Sequence, residues 1–173
     1  MNADELRQIQ QPLKDRYEAE PADALITLRA SGSLDGDDPS CSVQTGRALV
    51  EAGLHPATGG DGMLACPGDL LLQALVGCAG VTLRAVATHL GVAVSGSVRA
   101  EGDLDVRGTL GVSHDVRVGF REIRLAFDLT SDAPREDLEA VIAITERACV
   151  VYQTLAEPAD LSATLGNATI PGP

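Results

Sequence analysis

Four cysteines and three histidines are the side chains of this chain with the most chemistry to offer. Cys78 sits in LVGCAGV, where Gly77, Ala79 and Gly80 leave room for a ligand or a second segment to reach the sulfur. A buried cysteine behaves by default as a small hydrophobe. What sets Cys78 apart is that space, together with a second cysteine in a comparable setting. Cys149 follows Glu-Arg-Ala and precedes Val-Val-Tyr. If a helical turn starts there, its free amides stabilise a thiolate, and Arg147 adds to the effect. Such a pair suits redox or nucleophilic chemistry. Cys41, inside an expected strand, and Cys66, in the loop before Pro67, have no neighbouring charge to activate them and read as structural. No two cysteines form C-x-x-C, and His55, His89 and His114 are scattered singly, so a metal centre has little support. The chain also lacks G-x-S-x-G, a phosphate-cradling glycine loop and G-x-G-x-x-G after a strand. No cofactor is expected. Acyl transfer through Cys78 would require a histidine base, and His89 is eleven residues on, roughly 16 Å along a helix axis.

The elements that must hold these cysteines are legible in the hydrophobic pattern. Cys78 lies in a long apolar run that starts at Pro67 or Asp69 and stops at Gly91. From Leu70 to Val86 this run has almost no polar face, which predicts a central helix covered on all sides. Gly77 and Gly80 predict close approach of other backbone there. Ahead of it, Ala24 to Ser31 alternates as a strand, and a Gly/Asp/Pro turn leads to another around Cys41 to Thr45. Behind it, Val92 to Asp105, Val112 to Phe120 and Arg121 to Thr130 read as three consecutive strands. Ser131 or Asp132 can cap the next helix, with Pro134 in its first turn and Leu138, Val141 and Ile142 as its apolar stripe. Leu161 to Leu165 reads as a last strand. At the N-terminus, Leu6, Ile9, Leu13 and Tyr17 have helical spacing that Pro12 is expected to break. The order predicts an α+β fold, with an arm over residues 1–23 and one domain over 24–173.

Composition narrows the function further. With 173 residues, 45% of them hydrophobic, one domain with a sizeable core is expected. Aromatics are only 2% and Trp is absent, which leaves almost nothing for a base-stacking platform. A net charge of −12 repels phosphates, so no nucleic-acid partner is expected. No segment is read as long and apolar enough to cross a membrane, because Leu70 to Leu83 is interrupted and short of the ~20 residues required. The first residues carry no basic region followed by an apolar one, and a cytoplasmic location is expected.

The run CPGDLLLQALVGCAGVTLRAVATHLG, followed by VSGSVRAEGDLDVRG, GFREIRLAFDLTSDAPREDLEAVI and ERACVVYQTL, resembles the OsmC/Ohr family of osmotically induced and organic-hydroperoxide-resistance proteins. The likeness runs from about Leu25 to the C-terminus. It implies an intertwined homodimer with antiparallel sheets wrapped around a buried central helix. It also implies thiol-dependent reduction of organic hydroperoxides, with an external thiol or dithiol as reductant. By motif position Cys78 would be the peroxidatic cysteine and Cys149 its disulfide partner. The family stabilises its thiolate with an Arg held by a Glu. Arg47 is the nearest upstream candidate for that Arg, while Gly68, followed by Asp69, stands where the Glu would be. Val150 likewise stands where many members have Pro. A binding dimer of the same fold, holding an apolar small molecule or lipid without turnover, is the alternative. It predicts a thiol at or above the ordinary value of about 8.5.

Overall fold

A computed structural model describes residues 3–33, 42–43, 52–165 and 168–170. The chain opens with α1 (Ala3–Ala19), followed by β1 (Leu25–Ser33) and β2 (Ser42–Val43). The long α2 (Pro67–Leu90) leads to β3 (Ser95–Asp105), a single turn α3 (Val106–Thr109) and β4 (Phe120–Thr130). Then come α4 (Arg135–Ala148), α5 (Val150–Ala156) and a terminal hairpin of β5 (Ala163–Leu165) and β6 (Ala168–Ile170). The fold is α+β, as expected.

One antiparallel sheet in the order β2-β1-β3-β4 forms a layer on which α2 lies, against β1 and β3. β1 pairs β3 from Leu25 with Asp105 to Ser33 with Ser97, and β3 pairs β4 with an irregularity at Asp103/Leu104. Along β3, Val98, Ala100 and Gly102 point inward and their neighbours outward, the two-residue period of a half-buried strand. Gly102 is required there because a Cβ would strike the ring of Phe120 on β4. α4 and α5 pack on α2 from another side. The main core joins Leu72, Leu75, Val76, Ala79 and Leu83 of α2 to Val98 and Ala100 of β3, Val141 of α4, and Cys149.

α2 begins with Pro67 in its first turn, where the missing N–H costs nothing. It ends at Gly91, whose left-handed φ of 69° favours glycine, and whose amide meets carbonyls of the last turn. At 24 residues and with an 18-residue window of high hydropathy, α2 is the one helix among the described residues that is long and apolar enough to cross a membrane by length and composition. That corrects the expectation that no segment qualifies. The glycines and Gln73 do not shorten the helix as they were expected to shorten the run. Its packing against the sheet, α4 and α5 marks it as a core helix. One stripe stays open in the single chain: Leu71 is 39% and Val81 43% exposed, with Ala74 and Ala85 between and beyond them.

Three other sequence expectations are corrected. α1 runs through Pro12 without a break, since a proline removes one backbone bond and neighbouring turns can hold the rest. Its end is fastened by Tyr17, fully buried, whose hydroxyl donates to the carbonyl of Ala57 at 2.7 Å. Residues 112–119 form turns, not a strand, so two strands follow α2 before α4. Gly111 and Gly119 have φ of 66° and 110°, and left-handed backbone at both ends prevents a ladder. Ser131 does not cap α4: it accepts from Ala133 N and donates to Ala93 O, and Pro134 occupies the cap position.

Asp105 joins β3 to α3. Its carboxylate accepts from the Arg107 amide at 3.1 Å and pairs with the Arg107 guanidinium at 2.6 Å. The Arg107 side-chain hydrogen bond leads the causes that hold the Asp105 carboxyl below the usual range, against a smaller desolvation penalty. With the folded value depressed, its contribution is complete above the unfolded value of about 3.9 and is lost as pH falls through the folded one. Asp105→Ala is therefore expected to cost about 1–2 kcal/mol at pH 7 through the lost cap. Urea unfolding at pH 7 and pH 3 checks this, because the gap to the parent protein must shrink at pH 3.

Candidate active site

Cys78 lies near the middle of α2, half-buried, and Cys149 lies fully buried between α4 and α5. α4 ends at Ala148, and Cys149 leaves the helical conformation with φ −76° and ψ 111°, which makes it the N-cap of α5. Its sulfur accepts from the amide of Tyr152 at 3.4 Å. The helical turn anticipated after Cys149 is thus present.

The two sulfurs meet. Burial pushes the Cys78 thiol up, but hydrogen bonding from the Val151 amide, the Cys149 thiol, the Thr82 hydroxyl and the Val150 amide outweighs it and holds Cys78 below the ordinary thiol value. Cys149 moves the other way. Burial raises it, the Tyr152 amide opposes, and its contact with Cys78 raises it further. The directions bias the pair, so that Cys78 gives up its proton more readily than Cys149. Exposure agrees with that division, because Cys78 is open enough to receive a reagent and Cys149 is closed.

A cleft of about 500 Å³ opens next to Leu75 and Tyr152, each three residues from one of the cysteines. Leu71 and Leu75, two turns and one turn before Cys78, form one wall, and Tyr152 and Leu155 of α5 form another. Phe120 and Leu125 of β4 also line it, as do Arg117 and Arg121 and the carboxylate-bearing Glu122 and Glu146. An apolar body with one polar end fits such a lining.

The other sequence candidates fall elsewhere. Arg47 and Cys41 lie outside the described residues. Cys66 caps α2 without a side-chain bond and packs on the main core, a structural position. Asp69 stands nine residues before Cys78, half a turn around α2 and about 13.5 Å along it, so it faces away from the sulfur. Its carboxyl is raised by burial and opposed by His55, its actual neighbour. Among the described residues no group of three His, Cys, Asp or Glu side chains gathers to hold a metal. Thr82, the Val150 and Val151 amides and the cleft arginines were not singled out from sequence. Only Thr82 had a readable signal, its place four residues after Cys78.

An antiparallel sheet carrying a long helix, with a cysteine from its middle set against a cysteine at the cap of a later helix, defines an α+β class built around a thiol pair. The model of the OsmC-like protein family matches residues 59–164, which is more than half of the chain. The chain belongs to the OsmC-like family. A crystal structure of an OsmC-like hydroperoxide resistance protein from Jannaschia sp. CCS1 shares its fold, with a TM-score of 0.55 and 19% identity over 85% of this chain and 98% of that one. No curated protein matches the chain.

Proposed function

We propose that the chain is a two-cysteine peroxidase that reduces organic hydroperoxides, with Cys78 attacking and Cys149 resolving. The observation that carries this reading is the meeting of those two sulfurs with their protonation biased in opposite directions. The Cys78 thiolate attacks one peroxide oxygen and the O–O bond breaks. The alkoxide leaves, takes a proton and departs as the alcohol, and Cys78 becomes a sulfenic acid. Cys149 then condenses with it, forming a disulfide and releasing water. An external thiol or dithiol returns both cysteines to the reduced state by exchange. The hydroperoxide resistance protein of the same fold is consistent with this chemistry. Leu71, Leu75, Phe120, Tyr152 and Leu155 in the cleft support an alkyl hydroperoxide over hydrogen peroxide, with Arg117, Arg121, Glu122 and Glu146 left to meet its polar end.

A homodimer belongs to the same reading. The open stripe Leu71, Ala74, Val81 and Ala85 runs along α2 at the spacing of a helix seam, and Cys78 lies in line with it. A second copy on that stripe would cover its apolar surface and close the site from solvent. Residues 1–23 act as an arm on one domain over 24–173, and the protein works in the cytoplasm, where the reductant keeps the thiols free. Arg47 remains the candidate upstream cation.

The cleft by itself also suits the alternative, an apolar-ligand binder without turnover. One experiment separates the two. The reduced protein is treated with one equivalent of cumene hydroperoxide, its thiols are titrated, and any disulfide is mapped by peptide analysis alongside sedimentation. The expected result is the loss of two thiols per chain, a linked Cys78–Cys149 peptide and a dimer. Four thiols still free would hand the site to the binding reading, and a stable monomer would remove the proposed dimer.

A further inference from the structure

Thr82 follows Cys78 by four residues on α2, one turn on and on the same face. A helical threonine has a ready partner for its hydroxyl in the carbonyl four residues back. The other threonines of α2, α4 and α5 take that partner: Thr88 donates to Arg84 O at 2.7 Å, Thr145 to Val141 O at 2.7 Å and Thr154 to Val150 O at 2.8 Å. No such bond is seen for Thr82 among the described residues, which leaves its hydroxyl one turn from Cys78 on the shared face, where it is one of the groups that hold the Cys78 thiol down.

The groups around that sulfur explain why a hydroxyl matters. Gly68 offers no side chain and Asp69 faces away. The partners that act most on Cys78 are two amides, one thiol and this hydroxyl, and of these the Cys149 thiol is the titratable one. Cys149 must leave its bond to Cys78 when it resolves the sulfenic acid, and the amides belong to the segment that carries it. Thr82 is the side-chain donor that stays on the same rigid helix as the attacking atom throughout.

We propose that Thr82 is a catalytic residue of this chain, its hydroxyl donating to the Cys78 thiolate and orienting the sulfur for attack on the peroxide. The assignment rests on the reading of Cys78 as the attacking cysteine. Its test reads the thiolate directly and does not require turnover. The full-length reduced protein is alkylated with iodoacetamide across pH 5 to 10, and labelling at Cys78 is followed by peptide mass analysis. Thr82→Val keeps the shape and removes the donor. It is expected to move the Cys78 midpoint up by about half to one pH unit, lowering the thiolate fraction near neutral pH about three- to tenfold. Thr82→Ser is expected to restore the parent profile. An unchanged midpoint in Thr82→Val overturns the proposal. A shift that Thr82→Ser fails to rescue also overturns it, because packing and not donation then set the profile. If the profiles behave as expected while no variant, parent included, consumes peroxide, the donor role of Thr82 toward the thiolate stands and the peroxidase reading falls.

Discussion

Cys78→Ser is expected to bring thiol-dependent consumption of cumene hydroperoxide down to the uncatalysed background. Serine keeps the size of the side chain, but its hydroxyl stays protonated at neutral pH and cannot accept oxygen from a peroxide as a thiolate does. The half-buried position tolerates the exchange, so folding should change little. Cys149→Ser behaves differently. Its Cys78 is still oxidised once, but the sulfenic acid has no neighbour to condense with. Excess peroxide then drives it to the sulfinic acid, which appears as a mass gain of two oxygens on the Cys78 peptide. Cys149 is fully buried, so placing a hydroxyl there also costs about 1–3 kcal/mol of stability. Steady-state peroxide consumption with a dithiol reductant, followed by mass analysis, reads both. A Cys78→Ser protein that turns over at the parent rate would refute the mechanism.

The second large effect falls on α2. Leu75 and Leu83 are both buried in the main core, and truncating either to alanine is expected to cost about 2–5 kcal/mol, measured by urea unfolding at one fixed protein concentration. The two positions differ in what else they do. Leu75 also lines the cleft one turn from Cys78, whereas Leu83 lies beyond it. Leu75→Ala is therefore expected to raise KM for cumene hydroperoxide about tenfold while leaving hydrogen peroxide kinetics nearly unchanged. Leu83→Ala should match its loss of stability without the change in KM. Equal KM values in the two variants would mean that the cleft is not where the alkyl group binds.

Much of this architecture can be read from residue order. Pro67 and Gly91 bracket α2 because one lacks an amide that the first turn would leave unpaired and the other tolerates a left-handed φ. The alternation of β3 and β4 and the narrow apolar stripe of α4 follow from local periodicity. Where local reading failed, a tertiary or backbone effect competed with it. Val112 to Phe120 has apolar residues at alternating places, yet left-handed glycines turn it into a loop. Pro12 should break α1, yet the helix continues through it, and the buried Tyr17 fastens the end of α1 to the segment around Ala57. Ser131 has the right type for a cap, but a carbonyl of the loop after α2 claims its hydroxyl.

By itself, the sequence determined an α+β fold with a long apolar helix, and it singled out Cys78 and Cys149 by type and setting. Those are local properties, written in side-chain volume, polarity and spacing. Only the tertiary structure decided that the two cysteines come together, that their thiols are biased in opposite directions, that Thr82 shares a face with Cys78 while Asp69 does not, and that a cleft opens one turn from each of them. The reason is physical: each of those facts depends on distances between segments far apart in the chain. Such distances are set by how α4, α5 and the sheet pack on α2, not by any residue's neighbours in sequence.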